Sequence, residues 1–235
     1  MGKVLAMKRR PRAALVAAAL ALALVGCGND TTQLETGRQA MSELFGKLRA
    51  KRAAAKAGPA LDAEAIARSG MASNPGPVLI ATLETNKSTS IFAQRGQNGT
   101  MRTWLSPSGQ AVITRNGLLV GTRGFGHDLM SADTSALSAK LRARSPGQAA
   151  IELRYLDGLG IERPLPLTCT VILGEAVSYS FADIDFSGLQ MAARCEGHGF
   201  AFDASYIVSD GGEILSSRQW IGQHLGYLTI QTLRN

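Results

Sequence analysis

The chain has few residues of the kinds that do chemistry: three histidines, three cysteines and two tryptophans in 235 residues. A Gly-x-Ser-x-Gly elbow, a His-Glu-x-x-His helix, a Gly-x-Gly-x-x-Gly turn and a phosphate loop ending in Lys-Ser/Thr are all absent. Their absence removes the commonest signatures of serine hydrolases, zinc proteases and nucleotide-binding enzymes. His127, His198 and His224 are the only imidazoles available as bases. Asp128 follows His127 directly, and on an extended segment adjacent side chains point apart, so the pair does not make a base with its orienting acid. No catalytic residue, metal or cofactor is assigned. Beyond the first 26 residues no apolar run approaches the length of a membrane-spanning helix.

Acidic residues are also missing from the amino-terminal head, which carries Lys3, Lys8, Arg9, Arg10 and Arg12. Thirteen uninterrupted apolar residues, Ala13 to Val25, follow it. That run is too short for a permanent span and has the anatomy of a signal peptide: cytoplasmic positive charge, a short apolar segment, small residues before a cut. Leu24-Val25-Gly26-Cys27 resembles the box at which bacterial lipoprotein precursors are cleaved. The resemblance implies residues 1–26 as signal, a diacylglycerol thioether on Cys27 and an acyl chain on its new amino group. Two or more chains hold a protein stably on its membrane. The alternative is an ordinary secretory signal with an incidental cysteine. Gly28 rather than Asp follows Cys27, and by resemblance to the Gram-negative sorting code this directs the protein to the outer membrane, facing the periplasm.

Removing the signal leaves 209 residues with twenty Lys plus Arg against eighteen Asp plus Glu, so the net charge falls from +7 to +2. The basic excess is therefore no footing for a nucleic-acid partner. Lipid on Cys27 leaves Cys169 and Cys195, for which a disulfide is the default in an oxidising compartment. A metal-binding or nucleophilic cysteine is the competing reading, with His198 as the nearest candidate ligand.

Residues 27–32 read as a small polar tether. Leu34, Met41, Leu44, Phe45 and Leu48 then recur at helical spacing, predicting a helix that ends before Gly58-Pro59. Its last turns hold Lys47, Arg49, Lys51, Arg52 and Lys56, which either complement the helix dipole in solvent or attract anionic headgroups or an acidic partner. A short helix from about Leu61 to Arg68 completes a helical segment over 33–76, stopped by Asn74-Pro75-Gly76-Pro77. From 77 to 235 the period falls to two. Asn116-Gly117, between Ala111–Thr114 and Leu118–Val120, is the sharpest hairpin signal, because both residues tolerate the positive φ of a type I′ turn. A helix is expected over about Asp133–Arg144. Strands are expected near 148–156, 160–165, 167–174, 176–182, 188–196, 200–208, 213–221 and 226–233. The fold class is mainly β: a large curved antiparallel sheet, sandwich or partial barrel with an N-terminal helix and a few short helices.

Three stretches taken together resemble the YjbF/GfcB family of outer-membrane lipoproteins, found with exopolysaccharide and group-four capsule secretion systems. They are the run from Thr114-Arg115-Asn116-Gly117 through Gly124-Phe125-Gly126-His127-Asp128-Leu129-Met130, the spaced pair Cys169 and Cys195, and Ser217-Arg218-Gln219-Trp220-Ile221-Gly222 with Gly226-Tyr227. The resemblance covers essentially the whole mature chain. It implies an accessory protein of polysaccharide assembly or export, with polysaccharide and export proteins as partners and no established catalytic residues. The chain departs from the pattern at its amino-terminal helix, and at Asp203-Ala204-Ser205-Tyr206, where many relatives carry an Asn-x-Tyr-Trp-like cluster.

Two features are candidate binding sites. In Arg102-Thr103-Trp104 and Arg218-Gln219-Trp220, strand alternation places each Arg on the face of its Trp. An exposed indole would offer a flat surface to a sugar ring, with the guanidinium taking carboxylate or hydroxyl oxygens. The alternative is a buried indole covered by its arginine. The second feature is the glycine-rich segment carrying Arg123, His127 and Asp128, read as a sharp bend out of a hairpin or as an anion cradle. The function expected is non-catalytic binding of glycan or partner protein. The rivals are a lipid- or lipoprotein-handling envelope module, and a periplasmic glycan-acting enzyme with two carboxylates roughly 5–10 Å apart.

Overall fold

The computed structural model describes residues 62–235. The signal peptide, Cys27, the tether and the helix expected from residue 33 lie outside the described residues. Helix α1 (Ala63–Ser73) is capped by Asp62, whose carboxylate accepts from the Glu64 amide at 3.0 Å. It runs five residues beyond the expected end at Arg68, because Gly70 stops nothing here. A Cβ at Gly70 would stand 2.3 Å from Cγ1 of Ile91, so the missing side chain is what lets the helix lie on the sheet. Asn74-Pro75 then ends it, as expected.

Twelve strands follow: β1 (Val78–Leu83), β2 (Ser88–Asn98), β3 (Met101–Leu105), β4 (Ala111–Arg115), β5 (Leu118–Arg123), β6 (Ser131–Asp133), β7 (Gly147–Leu156), β8 (Glu162–Phe181), β9 (Ile184–Gly197), β10 (Phe200–Val208), β11 (Ile214–Gly222) and β12 (Gly226–Arg234). Helix α2 (Ser135–Arg142) interrupts them after β6. They form one antiparallel sheet in the order β5-β4-β3-β2-β1-β12-β11-β10-β9-β8-β7-β6. Chain-adjacent strands pair everywhere except between β5 and β6, and the first strand pairs with the last. The two edges, β5 and β6, are consecutive in the chain and meet. The Thr122 amide donates to Leu129 O at 2.9 Å, and the Met130 amide to Arg154 O at 2.9 Å, so the sheet is nearly closed as a barrel. The mainly-β expectation holds, in its partial-barrel form.

Alternation sorts the side chains. Along β10, Phe202, Ala204, Tyr206 and Val208 are buried while Ala201, Asp203 and Ser205 are exposed. Phe92, Leu118, Met191, Leu228 and Trp220 join Leu137 and Leu141 of α2 in the main core. A smaller core lies on the other face, where Ala67 of α1 meets Val78, Ile80, Ile91 and Leu233. The tip of the β8–β9 hairpin reaches this second core through Ala182, with Phe181 and Ile184 beside it.

That hairpin corrects one expectation. Three strands anticipated over 160–182 are a single 20-residue strand, β8. Pro164 and Pro166 do not break it, because both sit where β8 pairs with β7 alone, β9 joining only from Thr168. An open side is where a strand tolerates a residue with no N–H. Around Gly174 the pairing slips between Leu173 and Ala176 without ending the strand. Cys169 and Cys195 are register partners on β8 and β9, joined by a disulfide and fully buried.

Candidate functional site

One end of the barrel holds a cavity of about 750 Å³. Its wall begins in the segment that joins β5 to β6. Asp128 shapes this segment: its Oδ1 accepts from Thr122 Oγ1 at 2.8 Å and the Phe125 amide at 3.2 Å, and its Oδ2 accepts from the Gly124 amide at 2.9 Å. Gly124 and Gly126, with φ of 81° and 98°, make the bend. Arg123 donates to Leu129 O at 3.2 Å and Met130 O at 3.1 Å, clasping the seam of the barrel. Of the three expected loop residues, Arg123 and Asp128 thus build the turn, while His127 and Asp128 line the cavity, Asp128 with its oxygens turned to the loop.

His127 meets His224 from the β11–β12 turn, the imidazoles stacked with centroids 4.0 Å apart. Opposite them stand Tyr155 at the end of β7 and Trp220 near the end of β11, edge to face at 6.0 Å. The Tyr155 hydroxyl is buried with no hydrogen-bond partner, and burial pushes its pKa well up. The lip is apolar: Leu156, Leu159 and Ile161 are 49%, 84% and 49% exposed. Asp157 organises that lip, accepting from the Leu159 and Ile161 amides at 2.9 Å each and from Arg163 Nε at 2.8 Å. These bonds, the Ile161 amide first, hold its carboxyl below the usual carboxylate range.

The Arg-x-Trp pairs are divided. Arg102 and Trp104 border a smaller, polar cleft of about 270 Å³ at the opposite end of the barrel, beside Asn116, Arg142 and Glu213. Trp104 is only 3% exposed; its Nε1 donates to Thr114 Oγ1 at 2.9 Å, and the Arg102 guanidinium lies 5.9 Å from its ring and bonds Asn235. Trp220 is also buried, stacked on Phe202 at 5.0 Å and against Phe200 at 4.8 Å. Neither indole presents an open face to a sugar, so the exposed-indole expectation is corrected to the buried alternative. Arg218 does not even share surroundings with Trp220. It stacks over the Tyr227 ring at 3.4 Å and grips Glu84 with Nε and Nη2, each at 2.8 Å. The pairing of β11 with β12 is in step from Arg218 through Trp220 and shifts just beyond, between Trp220 and Gly222.

His224 and Tyr155 carry no local motif, which is why sequence reasoning missed them as site residues. The turn glycines Gly222 and Gly226 were the only signal nearby: at Gly222 (φ 141°) a Cβ would press 3.4 Å from Tyr155 Cε1. Among the described residues no group of three His, Cys, Asp or Glu side chains is placed to hold a metal ion. The stacked imidazoles have no carboxylate beside them, and the Asp128 and Asp157 oxygens are committed to their own turns.

A nearly closed antiparallel barrel with a pocket at each end is an architecture able to enclose a ligand cavity. The chain matches the family model described as group 4 capsule polysaccharide lipoprotein GfcB, YjbF, over residues 37–233, and it belongs to that family. The crystal structure of the hypothetical lipoprotein YmcC from Escherichia coli shares the fold, with a TM-score of 0.61 at 16% identity, covering 72% of this chain and 89% of that one. No curated protein matches.

Proposed function

We propose that this chain is a lipid-anchored accessory lipoprotein of the outer membrane, facing the periplasm, that assists assembly or export of an exopolysaccharide or capsule. It does so by binding glycan or a partner protein, without catalysing a reaction. The family match over 37–233 carries this reading. The cleavage box at Cys27 supports the anchor, and a buried Cys169–Cys195 bridge suits an oxidising compartment. Against a glycan-cleaving role, a general acid needs a carboxyl with a raised pKa, and the Asp157 carboxyl beside the cavity is held low. Against a lipid-handling role, the cavity wall carries two imidazoles and the Gln223 carboxamide, which an acyl chain would strip of water without pairing.

The test is deletion in a polymer-producing strain together with photocrosslinking of the anchored protein. Loss of surface polymer, with crosslinks to nascent glycan or to an export channel, is the expected result. Unaltered polymer would sink the reading. Labelled palmitate should enter the wild-type protein and not the Cys27→Ser variant.

A further inference from the structure

We propose that the larger barrel-end cavity is a binding site for an uncharged sugar unit. This deepens the glycan reading above and rests on it. The volume, about 750 Å³, lies inside the range of roughly 300–1,000 Å³ typical of small-ligand pockets. A pyranose has two kinds of surface, C–H faces and a rim of hydroxyls, and the cavity offers both kinds of partner. Tyr155, Leu156 and Leu165 supply apolar wall, while His127, His224 and Gln223 supply donors and acceptors.

Charge selects the class of sugar. No Lys or Arg lines this cavity, and Arg163 just outside it is already paired with Asp157, so a uronic acid or phosphorylated sugar would find no unpaired cation to receive it. The arginines Arg102 and Arg142 belong to the cleft at the other end. An acyl chain would leave both imidazoles and the carboxamide unsatisfied.

The experiment is saturation-transfer NMR and titration on the whole protein, in a detergent without a sugar headgroup. The probes are maltose, lactose and chitobiose, against glucuronic acid and palmitate. A neutral disaccharide should bind and the other two should not. The His127→Ala/His224→Ala double variant should lower its affinity about tenfold. Gln223→Ala, which removes an exposed carboxamide of the wall, should weaken sugar binding without lowering the melting temperature. The proposal is overturned if no neutral probe binds, if glucuronic acid or palmitate binds better, or if the double variant, still folded, binds as well as wild type. Normal polymer export in the deletion strain would instead overturn the export reading, leaving a measured sugar affinity in place.

Discussion

The Glu84–Arg218 pair separates a structural arginine from a ligand-binding one. Glu84 accepts from Arg218 Nε and Nη2 at 2.8 Å each and from Thr229 Oγ1 at 2.9 Å, tying the end of β1 to β12 and β11. A charge-assisted hydrogen bond contributes about 1.5–3 kcal/mol. Both side chains are a little over one-third exposed, at 38% and 36%, so solvent screening reduces the expected coupling to about 1–1.5 kcal/mol. The measurement is a double-mutant cycle of Glu84→Gln and Arg218→Met by urea unfolding, Met keeping the stem over Tyr227. The Arg218 bond is the first cause holding the Glu84 carboxyl below its ordinary value of 4.5. A carboxyl depressed in the folded state stabilises above its unfolded pKa, and that stabilisation is lost as pH falls through the lower folded value. The coupling should therefore be present at neutral pH and fade in acid below about pH 4. Coupling under about 0.3 kcal/mol at pH 7, or coupling that persists unchanged in acid, would refute the argument.

Replacing both Cys169 and Cys195 by Ala frees a loop of 26 residues, worth about 3.5 kcal/mol by chain entropy; a urea midpoint unmoved by the change would contradict this. Gly70→Ala should destabilise by about 1–3 kcal/mol despite its better helix propensity, and the loss should shrink when Ile91→Ala is added, since the two atoms that collide are 2.3 Å apart. Thr114→Val should cost about 1–3 kcal/mol by orphaning the buried Trp104 Nε1–H, read as a lower melting temperature.

Most of the sheet was legible because alternation is written residue by residue. The strand expected at 200–208 is β10 to the residue, and Asn116-Gly117 turns with φ of 50° and 82° as its chemistry requires. What failed was anything set by the neighbouring strand. Whether Pro164 breaks a strand depends on which side is paired, and whether Trp220 is buried depends on Phe200 and Phe202 of β10. Neither is a property of the local sequence.

The cavity is the extreme case. His127, Tyr155, Trp220 and His224 come from the β5–β6 connection, β7, β11 and the β11–β12 turn, and no spacing relates them. They converge because β1 pairs with β12 and the β5–β6 edges meet, the same closure that Arg123 and Asp128 secure. The glycine-rich run that stood out in the sequence therefore marked the seam rather than a ligand cradle. Its His127 lines the cavity and stacks on His224. Weakening the seam should then disturb the His127–His224 stack before it disturbs the core. Arg123→Met should loosen amide-exchange protection at Leu129 and Met130 while Leu228 and Tyr206 stay protected, and equal loosening at all four would show the seam and barrel to be one cooperative unit.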